Sequence, residues 1–157
     1  MKLSENFTLE ELTYSKTAED KKISNIPKVE HIRNLQSLCD NILQPVRDSF
    51  NMSVKISSGY RSPELCLAVG STIKSQHTEG KAADFEIDGI PNLQLANWIY
   101  KNLDFDQLIL EFWDPAEDNS GWVHCSYNGN QNRKQYLKAI NHILVLELRA
   151  VIWHFVS

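Results

Sequence analysis

Between Val29 and Phe50 the apolar residues Ile32, Leu35, Leu38, Ile42, Val46 and Phe50 recur every three or four positions. That period places them on one face of a helix, and a single apolar stripe has to be buried against another layer. Pro45 falls inside the stripe, so the helix is expected to bend or break there. The downstream segments are short and strand-like: SVKISS (Ser53 to Ser58), AADFEI (Ala82 to Ile87), FDQLILEFW (Phe105 to Trp113) and WVHCSY (Trp122 to Tyr127). Between them lie two further helical segments. SPELCLAV has Ser62 as N-cap and Pro63 at the first helical position, and NLQLANWIYKNL follows Pro91 with Leu95, Trp98 and Ile99 as its core stripe. Near the N-terminus, FTLEEL opens a helix with a Thr8/Glu11 capping box and a Phe7/Leu12 staple. This order predicts an α+β fold, with helices packed on a mostly antiparallel sheet.

The 157 residues suffice for one domain with a real core and are too few for two ordinary ones. A formal net charge of −4 argues against a nucleic-acid partner, which calls for a basic face. No signal-peptide pattern and no apolar run of membrane-spanning length is seen, so synthesis in the cytoplasm without a transmembrane segment is expected. Cys39, Cys66 and Cys125 lack zinc-finger spacing and read as buried thiols.

The chemistry concentrates in SQHTEGKAADFEI, Ser75 to Ile87. Side chains alternate faces along a strand, so Asp84 shares a face with Ala82 and Glu86 while Phe85 and Ile87 turn to the core. In WVHCSY, His124 shares a face with Trp122 and Ser126, and Cys125 points away. If both strands lie in one sheet, Asp84 and His124 project from the same side, and the turn at Gly80 returns His77 to complete the set. Two imidazoles and a carboxylate with a fourth position open make a catalytic zinc arrangement, because structural zinc sites close with four protein ligands. Arg61, in SSGYRSPE, offers a planar fork of donors to an oxyanion or a carboxylate.

SGYRSPEL, GSTIKSQHTEGKAADFEI, FDQLILEF and WVHCS together resemble the zinc D-Ala-D-Ala carboxypeptidase family of peptidoglycan peptidases, in its short single-domain phage and prophage branch. The resemblance covers roughly residues 5–140. It implies the fold shared with the Hedgehog signalling domain and one Zn2+ held by His77, Asp84 and His124. It further implies that Arg61 binds substrate polar groups and steadies charge at the scissile carbonyl, and that Ser75 is a substrate hydrogen-bond partner. Trp122 either lines the pocket or packs.

Several relatives carry a glutamate three residues before the last histidine ligand, where this chain has Gly121. The general base is therefore expected at Glu111, which a hairpin between its strand and WVHCS brings near His124. Glu86, Asp114, Glu117 and Asp118 are weaker alternatives. His31 is expected on the solvated side of the long helix. The apolar tail, residues 142–157, reads as a docking helix or strand, with membrane contact or self-association as the alternative. His142 and His154 are not expected among the ligands.

The expected function is that of a zinc metallopeptidase cleaving peptidoglycan stem peptides beside a D-amino acid, as carboxypeptidase or endopeptidase. An endolysin that acts as a monomer at the cell wall after release fits this reading. The competing expectation is a non-catalytic zinc module of the same fold, used for cell-wall binding or as a virion part.

Overall fold

The computed structural model describes residues 1–140 and the backbone of the strand Ile143–Leu146. Two short helices, α1 (Leu9–Thr13) and α2 (Lys16–Lys21), precede the long one. The Thr8 hydroxyl accepts from the Glu11 amide at 3.3 Å, and Phe7 and Leu12 are both buried, so the cap and staple form together. Helix α2 was not expected from the sequence. Ser15 caps it and Lys22, in the left-handed region at φ 55°, ends it.

The amphipathic helix runs from α3 (Val29–Leu38) through a π-helical turn (Cys39–Leu43) into α4 (Gln44–Phe50). Pro45 neither breaks nor ends it. Proline lacks an N–H for the carbonyl four residues back, and its ring collides there in a regular α-helix. The wider turn relieves that conflict, with the Gln44 amide reaching the Cys39 carbonyl one residue further back. Leu35, Leu38, Ile42 and Val46 are completely buried, joined by Cys39 and Leu43, while Ile32 and Phe50 pack at the stripe's edges. Burying one such aliphatic side chain contributes roughly 1.5–3 kcal/mol.

The layer beneath is a six-stranded sheet: β1 (Lys55–Ser58), β2 (Ala82–Glu86), β3 (Gln107–Glu111), β4 (Trp122–Ser126), β5 (Gln135–Ile140) and β6 (Ile143–Leu146). Its spatial order is β1-β2-β4-β3-β5-β6. All neighbours are antiparallel except β3 and β5, which run parallel. Strand β5 was not assigned from the sequence, whereas β6 falls where a docking helix or strand was expected. Strand β6 occupies the start of the apolar tail, and the rest of the tail, with His142 and His154, lies outside the described residues. Strand β3 stops at Glu111, short of the expected Trp113, because Phe112 turns to φ 51°. Helices α5 (Pro63–Ala68) and α6 (Asn92–Asn102) fill the connections, and the Ser62 hydroxyl caps α5 on the Leu65 amide at 3.2 Å.

One sheet face supplies Ala83, Phe85, Leu108, Leu110, Val123 and Cys125 to the core, where they meet the long helix and Leu95 and Ile99 of α6. Period-two alternation leaves Asp84, Ile109, Glu111, Trp122 and His124 on the opposite face, free to build a site. The cysteines Cys39, Cys66 and Cys125 are buried and unbridged, and burial pushes the Cys39 thiol up to about 12.

Candidate metal centre

Asp84 and His124 are direct cross-strand partners in the β2–β4 pairing. His77 arrives from a 3-10 turn, Gln76–Glu79, which Ser75 caps by accepting from the His77 amide at 3.3 Å. Gly80 closes that turn at φ 70°, and a Cβ there would lie 2.5 Å from the His31 carbonyl oxygen, so only glycine lets the turn pack onto α3. The three side chains meet almost out of solvent, at 3%, 5% and 7% exposure for His77, Asp84 and His124. One donor atom from each lies within 4.8 Å of the others.

The donor set suits a divalent metal. His77 Nδ1 donates to the Gly59 carbonyl at 2.6 Å, which leaves the Nε2 lone pair facing Asp84 Oδ1 at 3.4 Å. His124 Nδ1 stands 2.9 Å from the same oxygen. Ligand atoms about 2.0–2.2 Å from a tetrahedral zinc lie roughly 3.3–3.6 Å apart, so the 3.4 Å between His77 and Asp84 matches an ion's spacing while the 2.9 Å between His124 and Asp84 is that of a direct hydrogen bond. The second carboxylate oxygen, Asp84 Oδ2, accepts from Arg61 Nη2 at 3.0 Å, and Arg61 Nε donates to the Ser58 hydroxyl at 2.8 Å. Ligand orientation by such outer contacts is typical of metal sites. Two of the five Arg61 donors are thus directed at Asp84 and Ser58.

Burial alone would raise the Asp84 carboxyl. Charge interaction with the His77 and His124 rings in their protonated forms, and hydrogen bonds from those rings, outweigh it and hold the group far below the usual carboxylate range. Burial pushes the His77 imidazole below its ordinary value, against the pull of Asp84 in the other direction. A carboxylate and a neutral imidazole are the forms that ligate a metal.

Glu111 sits at the end of β3, opposite Trp122 in register, with Oε1 at 3.8 Å from His124 Nδ1. Burial, and then the charge of Asp84, raise its carboxyl. Position 121, where a glutamate was weighed as the general base, has room only for glycine. A Cβ at Gly121 would lie 1.8 Å from the Glu111 carbonyl oxygen, and its φ is 66°. No side chain fits at position 121 on this backbone. Of the alternative bases, Glu86 is taken by the Asn92 amide at 3.1 Å, and Asp114, Glu117 and Asp118 are exposed in the loop beyond β3. None of these four lines the cleft.

That cleft, about 770 Å³, opens over His77, Asp84 and His124 and is walled by Arg61, Ser75, Glu111, Phe112 and Trp122 among others. Trp122 stacks beside Phe112 at 5.1 Å, and its buried indole N–H has no partner among the described residues. His31 corrects the sequence expectation. Its ring is not solvated but stacks on Tyr60 at 5.1 Å, and its Nδ1 accepts from the Lys28 amide at 3.2 Å at the start of α3. The cleft also contains Gln76 and Arg133, which sequence reasoning missed. Both are tied to the buried carboxylate of Asp106.

The sequence model of the family described as Peptidase M15 matches residues 5–126, well over half of the chain. The match spans His77, Asp84 and His124 as well as Arg61 and Glu111, and ends before Arg133. A comparison with the curated proteins gives no match.

Proposed function

The chain belongs to the M15 peptidase family, whose members are zinc peptidases, and from that premise we propose that it hydrolyses peptidoglycan stem peptides at bonds beside D-amino acids. The observation that carries this reading is the convergence of His77, Asp84 and His124 at the floor of a cleft, with the Glu111 carboxylate 3.8 Å from His124. Zinc in such a set supplies Lewis acidity and lowers the pKa of water towards neutrality. The protein's own groups do the rest. Glu111 accepts a proton from the attacking water and returns it to the leaving amine. Arg61 keeps Asp84 oriented through Nη2 and offers its remaining N–H groups to the developing oxyanion. Ser75 and Trp122, on the cleft wall, contact the peptide.

Whether the bond is terminal or internal separates carboxypeptidase from endopeptidase, and a phage-type endolysin is the setting we favour. In this reading the protein reaches the wall by release through a separate protein and works as a monomer; no described helix is long and apolar enough to cross a membrane.

The test is a digest of purified peptidoglycan, with and without a zinc chelator, read by mass spectrometry. New peptide termini that vanish with chelator and return with zinc are expected, and their masses name the bond. Protein holding one zinc that yields no new termini from several wall types would overturn the peptidase reading in favour of a binding module.

A further inference from the structure

Arg133 lies beyond the family-matched residues, yet it lines the same cleft as the three ligands. Its placement is built. Lys134 adopts φ 51°, and its amine reaches back over the Tyr100 and Phe105 rings at 5.8 and 6.0 Å. Arg133 itself is turned into the cleft.

Behind it stands Asp106, only 1% exposed. Oδ1 of Asp106 accepts the Arg133 amide and Nε, both at 2.9 Å, and Oδ2 accepts Nη2 at 3.0 Å and the Gln76 amide nitrogen at 2.7 Å. The carboxylate is saturated by these four bonds, and Gln76 adjoins the ligand His77. The guanidinium is therefore locked in plane from one side. Its side chain is still 55% exposed. Of its five donors, Nε–H and one Nη2–H face Asp106. The two Nη1–H and the other Nη2–H are left, and the Nη1/Nη2 edge is the fork that takes a carboxylate bidentately. Lys74, exposed on the same rim, adds a mobile positive charge. A structural clamp alone would need no exposed, pre-oriented fork on a substrate cleft.

We propose that Arg133, fixed by Asp106, is the specificity-determining residue that recognises a free carboxylate on the substrate. This rests on the peptidase reading for what the substrate is. The carboxylate has two sources in a stem peptide: the C-terminus, or an internal residue linked through its side chain.

The experiment measures binding by calorimetry to the zinc-loaded protein, in a Glu111→Gln background so that no peptide is cut. One probe pair is an N-acyl-D-Ala-D-Ala and its C-terminal amide. The other is a C-terminally amidated stem peptide with its internal isoglutamyl carboxylate free or amidated. Charged hydrogen bonds of this kind are worth roughly tenfold to a hundredfold in affinity. The expected result is a preference of that size for the acid in one pair, lost in Arg133→Gln while the amide binds unchanged. The pair that shows it identifies the source. Zinc also attracts carboxylates, but that part of the preference survives the substitution. Arg133→Lys, which keeps the charge and the Asp106 contact without the fork, is expected to recover only part of it. Equal binding of acid and amide in both pairs overturns the proposal. So does an acid preference that Arg133→Gln leaves intact, an equal loss for acid and amide in that variant, or no binding of any probe. An Arg133-dependent preference with no cleavage of any wall would instead sink only the peptidase reading.

Discussion

At position 121 a Cβ would stand 1.8 Å from the Glu111 carbonyl oxygen, on a backbone at φ 66°. An L-residue there meets both the left-handed penalty, about 1–2 kcal/mol, and a backbone collision that no rotamer relieves. Gly121→Ala is thus expected to lose at least about 2 kcal/mol, read as a melting temperature lower by roughly 5 °C or more. Activity should fall further than stability, because the strand end that must yield is the one carrying Glu111. A melting curve unchanged by this substitution would contradict the packing described. Glu111 itself is tested by Glu111→Ala. Loss of a positioned proton-transfer group costs roughly 10²–10⁴ in rate, and the variant should still bind one zinc, measured by metal analysis after gel filtration. Turnover within a few-fold of the parent would remove Glu111 from the mechanism. Part of this site was legible in the chain: alternation sets Asp84 apart from Phe85 and His124 apart from Cys125, and the β2–β4 pairing then puts Asp84 and His124 on one face. His31 was misjudged for a plain reason. Helical periodicity reports which face of α3 is apolar, but not that Tyr60 comes across to stack on the histidine.

The long helix shows what a periodic pattern conveys at the scale of an element and what it leaves out. The stripe predicted burial of Leu35, Leu38, Ile42 and Val46, and all four are completely buried. It did not predict the π-helical turn, because the pattern records where side chains point and not which carbonyl each amide reaches. Leu38 abuts that turn at the centre of the core, so Leu38→Ala removes its transfer energy and leaves a cavity. The expected cost is about 2–5 kcal/mol by denaturant titration with an unchanged m-value. A cost below about 1 kcal/mol would mean that the core collapses around the gap. Strand β5 escaped notice for a different reason. Strand β5 pairs in parallel with β3, Gln107 opposite Gln135, and no local turn signal announces a partner that far along the chain. The hairpin of β3 and β4, whose partners are joined by one polar loop, was by contrast readable and brought Glu111 to His124.

For the molecule as a whole, the non-local β3–β5 pairing is what places Arg133 beside Asp106, so neither this ion pair nor its part in the cleft could be read from spacing. The pair also ties the metal-ligand turn to the sheet through Gln76, and it leaves a mark on acid stability. Burial by itself would raise the Asp106 carboxyl, but hydrogen bonds from Arg133 and Gln76 hold it below the ordinary aspartate range. A folded pKa below the unfolded one means that the unfolded chain binds more protons in acid. The stabilisation is therefore complete above the ordinary aspartate pKa, about 3.9, and is lost as pH falls through the folded value. Asp106→Asn removes it at every pH. In chelator, so that metal loss plays no part, the variant should be less stable than the parent at pH 7 by about 1–3 kcal/mol. That gap should hold down to about pH 4 and narrow from there towards pH 2, because the parent gives up its own carboxylate over that interval. Asp84 is shifted in the same direction and is present in both proteins, so its acid limb cancels in the comparison. Melting temperatures read by circular dichroism across pH 7 to 2 decide the matter. A gap constant over the whole range would show that Asp106 is held by shape and not by charge, and the locked orientation of Arg133 would then need another cause.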